Sequence, residues 1–199
     1  MKRGQTPSQT VGPYFAYGLA PEQYNFPLAS VAGGDMAADS VEGERIRLIG
    51  QVFDGAGELV PDALIEVWQA NTHGRYNHPA DDRKDNLLDP EFRGFGRFGT
   101  GTAPDCHYQF DTIKPGSVDG AQAPHLNIIV MMRGMLLHAY TRAYFSDDEK
   151  ANAADPVLSS VPEERRDTLI ARRDENLPGR VYRFDIHMQG PKETVFFDV

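Results

Sequence analysis

Cysteine occurs once in the 199 residues, at Cys106, so the chain cannot close an internal disulfide. That usage fits a reducing compartment. Positive charge is also short: 20 Lys and Arg stand against 29 Asp and Glu, a net charge of -9. Such a balance argues against nucleic acid and anionic membrane surfaces as partners, because both demand clustered cations. Apolar runs such as Ile128–Met132 are far too short to span a bilayer. No apolar segment follows Met1–Pro7, so a secretion signal is not expected. These absences predict a soluble, cytoplasmic protein. Standard catalytic signatures are missing as well. There is no Gly-x-Ser-x-Gly elbow, no phosphate-binding glycine loop and no Asp, Glu or His pairing suited to hydrolysis.

What is present reads as one domain of short strands. Hydrophobic residues make up 40% of the chain, enough for a sizeable core. Residues 1–43 show little periodicity and are expected to form a long N-terminal arm. Tyr14, Phe15, Tyr17 and Phe26 within it require burial somewhere. Strands are predicted over 45–53, 63–70, 108–113, 125–132, 135–145, 181–189 and 194–198, with 71–104 as a long loop. The alternation of Tyr182, Phe184, Ile186 and Met188 against Arg183, Asp185 and His187 marks a half-buried strand. Helix is expected over 147–154, stopped by Pro156. A second helix is expected to start at a capping box, with Ser160 as N-cap and Glu163 reaching back. Leu169 and Ile170 would face inward, with Arg172 and Arg173 at the helix C-terminus. The class predicted is mainly β, a β-sandwich core over 44–199 with short peripheral helices.

The stretch Ala123–Gly134 carries the most chemistry. On a strand, His125, Asn127 and Ile129 share one face. A His-x-His pair could grip a metal from one side, but the second position is Asn127, a neutral and weak ligand. The same strand delivers Arg133 to a turn at Gly134, where its planar fork suits a carboxylate. Tyr76, beyond the strand that holds Trp68, offers a phenolate suited to ferric iron. Taken singly, Tyr76 and His125 read as a packed tyrosine and a core histidine, and Arg133 as a surface arginine. Cys106 has no activating neighbour in sequence. Asp147-Asp148-Glu149 reads as a solvated helix start, and Arg165-Arg166 and Arg172-Arg173 as an exposed helix face.

Four ordered blocks resemble the intradiol ring-cleaving dioxygenases: Glu66–Asn71, Lys114-Pro115-Gly116, Ala123-Pro124-His125 and Tyr182–Ile186. The likeness runs from Thr6 to Asp198. It implies a β-sandwich, a ferric ion held by two Tyr and two His, and a catechol substrate split by O₂. Tyr76 matches the first Tyr ligand and His125 the first His. The second His position is Asn127, Ser117-Val118 stands where the second Tyr belongs, and Gln122 replaces the family's catalytic Arg. These positions are therefore expected to be vestigial, with Fe(III) carried by a homologous β chain in a hetero-oligomer of αβ units. The resemblance also implies that Gly12, Pro13, Tyr14 and Arg133 border the partner's iron pocket. Arg133 would there attract a substrate carboxylate. Residues 1–43 would pack on that partner. The alternatives are a self-sufficient ferric enzyme and a non-catalytic β-sandwich binding module.

Overall fold

The computed structural model describes residues 7–12 and 15–199. Among the described residues nine strands dominate: β1 (Arg45–Phe53), β2 (Leu64–Trp68), β3 (Phe95–Gly99), β4 (His107–Ile113), β5 (His125–Met131), β6 (Ala139–Phe145), β7 (Ile170–Arg173), β8 (Val181–Arg183) and β9 (Ile186–His187). Four short helices accompany them: α1 (Phe15–Leu19), α2 (Glu149–Ala154), α3 (Pro156–Ser160) and α4 (Glu163–Arg166). The strand order is β3-β2-β5-β6-β7-β8-β1-β4, with β9 also paired to β1. The sheet curls so that its two ends meet, and Phe98 of β3 packs on Phe110 of β4 at 6.2 Å between ring centroids.

The mainly β class expected from the sequence holds, and alternation explains it. In β1 the inward Ile46, Leu48 and Val52 are buried between exposed or half-buried neighbours. In β5 Leu126, Ile128 and Val130 point inward. These side chains share one core with Val67, Phe110 and Tyr182. Burying each such side chain contributes about 1.5–3 kcal/mol. Gly50 interrupts the inward set of β1 because a Cβ there would lie 1.9 Å from the Phe184 carbonyl oxygen.

Several expectations fail locally. The 71–104 stretch contains β3, whose glycines hide a strand from sequence reading. Gly96 packs against Met36, Gly99 against the Tyr24 hydroxyl, and pairing with β2 supplies the hydrogen bonds. The capping box does not form: Pro162 is the N-cap of α4, and the Ser160 hydroxyl donates to the Val157 carbonyl at 2.6 Å. Ile170–Arg173 is strand β7 rather than helix, because Tyr144 and Phe145 of β6 pair with it. Leu169 is nevertheless fully buried. The helix expected over 147–154 does form, as α2, and stops at Ala154 with Asp155 extended before Pro156; Pro156 then starts the separate α3, with the Asp155 side chain accepting from Leu158 N. The 181–189 strand divides at Phe184-Asp185, where the Asp185 carboxylate accepts from the Gln51 backbone N–H at 3.1 Å. Residues 194–198 contribute a bridge between Phe197 and Tyr140 rather than a full strand. Asp147 and Asp148 are not merely solvated: Lys114 Nζ reaches Asp148 at 2.9 Å and Asp147 at 3.3 Å, and the Tyr182 hydroxyl donates to Asp147.

The stretch before β1 is tied to its own domain. Gln23 bonds Gly99 through both ends of its amide, and Gly33 and Gly34 bond Arg97 and Asp111 of β3 and β4. Tyr17 and Phe26 remain substantially exposed. Among the described residues no helix is long and apolar enough to cross a membrane.

Candidate functional site

Two clusters of expected site residues can be traced. The first gathers around the outer face of β2, β5 and β6. Strand register places Trp68, Asn127 and Arg142 in one row across these strands. The 71–76 turn brings Tyr76 to that row. Buried Asn71 builds the turn, its carboxamide oxygen accepting from His73 N at 2.9 Å and Arg75 N at 3.0 Å. Gly74 has φ +75°, and a Cβ there would meet the Ser117 carbonyl oxygen at 1.8 Å. The 72–76 and 115–118 backbones therefore lie against each other, which sets Val118 on the same cleft as Tyr76.

Tyr76 stacks on Trp68 at 5.6 Å between centroids. Its hydroxyl oxygen accepts a 2.8 Å hydrogen bond from Asn127 Nδ2, which also donates to the Trp68 carbonyl at 3.1 Å. Burial raises the Tyr76 pKa, opposed by the Asn127 hydrogen bond and the Arg142 charge. His125 is buried, and its Nδ1 lies 2.8 Å from the Ala123 carbonyl. Burial, reinforced by the Arg142 cation, depresses the His125 pKa to about 4, so the ring is neutral at pH 7. Ser117 donates to the Gln122 carbonyl at 2.6 Å. Gln122 in turn accepts from Arg142 Nη1 at 2.8 Å.

This donor set does not fit ferric iron. Fe(III) favours anionic oxygen ligands. The one phenol is protonated and engaged by an amide N–H. Asn127 turns its donor toward that phenol, Ser117-Val118 offers no phenolate, and a guanidinium lies close by. No group of three His, Cys, Asp or Glu side chains among the described residues could share a metal.

The second cluster lies at the β5–β6 turn. Gly134 N donates to Thr10 Oγ1 at 3.0 Å, and Gln9 and Val11 line a small recess with Met131 and Met135. The chain preceding Gly12 thus runs beside Arg133. Gly12 is exposed, while Pro13 and Tyr14 lie outside the described residues. Arg133 ion-pairs with Asp62; its side chain is 56% exposed and that of Asp62 26%.

Sequence reasoning missed Arg142, Asp62 and Asp155. Arg142 could have been flagged by its alternation with Tyr140 and Tyr144 on a strand adjoining His125. Asp155 preceding Pro156 is an N-cap signal. Fully buried, Asp155 accepts from Ala123 N, Leu158 N and the Tyr144 hydroxyl, locking the start of β5 to α3. Nothing in the sequence signals Asp62.

The curled β-sheet, with Tyr76 and Asn127 brought together on its outer face, is a frame shared with intradiol dioxygenases of known structure. A family described as Dioxygenase matches residues 11–190. The chain belongs to the intradiol dioxygenase family. It is 55% identical to the protocatechuate 3,4-dioxygenase alpha chain of Burkholderia cepacia over 98% of both chains. The alpha chain from Pseudomonas putida is 44% identical, over 98% of this chain and 96% of that one. The Burkholderia cepacia beta chain is 35% identical, over 91% of this chain and 77% of its own length. Among solved structures, an intradiol ring-cleavage dioxygenase from Tetranychus urticae superposes with a TM-score of 0.62 at 16% identity, covering 81% of this chain and 88% of that one. That likeness concerns the fold.

Proposed function

We propose that this chain is the alpha subunit of a protocatechuate 3,4-dioxygenase, assembled with a homologous beta chain that holds the Fe(III). The assembly opens protocatechuate with O₂ to 3-carboxy-cis,cis-muconate, a step in aromatic catabolism through the β-ketoadipate route. The observation that carries this reading is the 55% identity to an alpha chain along the whole chain, against 35% to the beta chain of the same organism. The chemistry of Tyr76, His125 and Asn127 supports leaving iron to the partner.

The role of this chain's own residues is to enclose and orient. Arg133 offers a cation to the substrate carboxylate, and Gly12, Pro13 and Tyr14 form an adjoining wall of the partner's pocket. Hydrogen bonding of Thr10 to Gly134 supports grouping the two segments. The exposed Tyr17 and Phe26 are the apolar surface by which the 1–43 arm packs on the partner. A single cysteine and an acidic surface suit the cytoplasm.

The test is co-expression with the candidate beta chain, followed by iron analysis of each component. The lone chain is expected to be colourless and inactive, with tyrosinate-to-iron absorption and ring cleavage only in the pair. Stoichiometric iron in the isolated chain would overturn the reading.

A further inference from the structure

We propose that the cleft over Trp68, Asn127 and Arg142 is a second ligand site, for an aromatic monocarboxylate whose ring lies among the apolar walls and whose carboxylate pairs with Arg142. The cleft encloses about 550 Å³, within the size range of small-molecule sites. Trp68, Phe95, Ile129, Val157 and Phe197 line it, so a flat apolar body is accommodated.

The anion preference comes from Arg142. Its guanidinium is half-buried, and its hydrogen bonds go to two neutral acceptors, Gln122 Oε1 at 2.8 Å and the Tyr144 hydroxyl at 3.4 Å. Among the described residues it makes no ion pair, whereas Arg47, Arg83, Arg97, Arg133 and Arg180 each hold a carboxylate. A guanidinium has five donors, and the hydrogen bonds of Arg142 within the protein both come from Nη1, so Nε and Nη2 remain to take a carboxylate in bidentate fashion. Asn127 fixes the floor between Trp68 and Arg142, its amide held by Tyr76 and the Trp68 carbonyl. Asp198 stands on the rim, which disfavours a second negative charge on the ligand. Ring plus single carboxylate is the class that satisfies all of these features together.

This inference stands apart from the subunit reading, and its test separates the two. Benzoate is titrated calorimetrically into the assembled αβ protein, wild type, Arg142→Met and Val157→Trp, with acetate as the bare-anion control. The iron chromophore reports the partner's centre independently. Wild type is expected to show a benzoate class that acetate does not reproduce. Affinity for that class should fall about tenfold or more in Arg142→Met. In Val157→Trp, which fills the cleft from α3 without touching the arginine, the class should be lost. The chromophore's response should stay the same throughout. Retention of the class in a folded form of either variant, or its absence from wild type, overturns the proposal. If Arg142→Met does not fold, Val157→Trp decides. If no partner assembles, the same titrations on the full chain decide, so failure of the subunit reading leaves this test intact.

Discussion

Asp62 is the residue whose removal best interrogates the proposed role of Arg133. The two side chains form an ion pair at the β5–β6 turn, with the arginine 56% exposed. At that exposure the pair is worth roughly 0.5–1 kcal/mol. An incoming substrate carboxylate has to share or displace Asp62. In the assembled enzyme, Asp62→Asn should therefore lower KM for protocatechuate about two- to fivefold and leave kcat nearly unchanged. Arg133→Ala should act the opposite way. A charge-assisted contact of about 1.5–3 kcal/mol corresponds to a KM increase of roughly 10- to 150-fold, with bound iron unaltered. Both effects should shrink at high ionic strength, because the site is exposed. Steady-state oxygen uptake at two salt concentrations measures all of this. A KM that is insensitive to Arg133→Ala, or that rises in Asp62→Asn, would refute the assignment of Arg133 to the carboxylate.

Other expectations concern His125, Asn127 and the groups that support them. Asn127→His supplies one imidazole but no second phenolate, so metal analysis of that single variant purified alone should find no stoichiometric iron; a bound equivalent would contradict the donor argument. His125 takes its proton near pH 6.5 when unfolded and near pH 4 when folded. Its folded pKa is depressed, so the unfolded state binds more protons between those values. The associated stability is complete above pH 6.5 and falls by up to about 3 kcal/mol as the pH drops to 4. Urea midpoints for wild type and His125→Gln should diverge in that window, and parallel pH profiles would remove His125 as the cause. Asp155→Ala abandons two buried backbone donors and the Tyr144 hydroxyl. It should cost about 3–5 kcal/mol in denaturant unfolding, against about 1 for Tyr144→Phe. A loss under 1 kcal/mol for Asp155→Ala would show that solvent reaches these groups.

Much of the sheet was legible because its inner face alternates. Arg45–Phe53 and His125–Met131 obey a period of two, and that pattern depends only on which side chains need burial. Phe95–Gly99 was illegible because glycine carries no such signal. Its strand character is a property of β2 beside it and of Met36 and Tyr24 above it. The segment after Ser160 misled for a related reason. Its local helix signals were weaker than the pairing of Ile170 and Ala171 with β6.

The site divides along the same line. Sequence alone determined that positions 117, 118 and 127 carry no phenol or imidazole, which folding cannot supply. It could not show which groups surround those positions. Arg142, fifteen positions from Asn127 along the chain, reaches the same row only because β5 and β6 pair in antiparallel register, and Asp62 meets Arg133 only across a turn. Composition travels with the residue, but the electrostatic environment of a side chain is a sum over neighbours that tertiary packing alone selects.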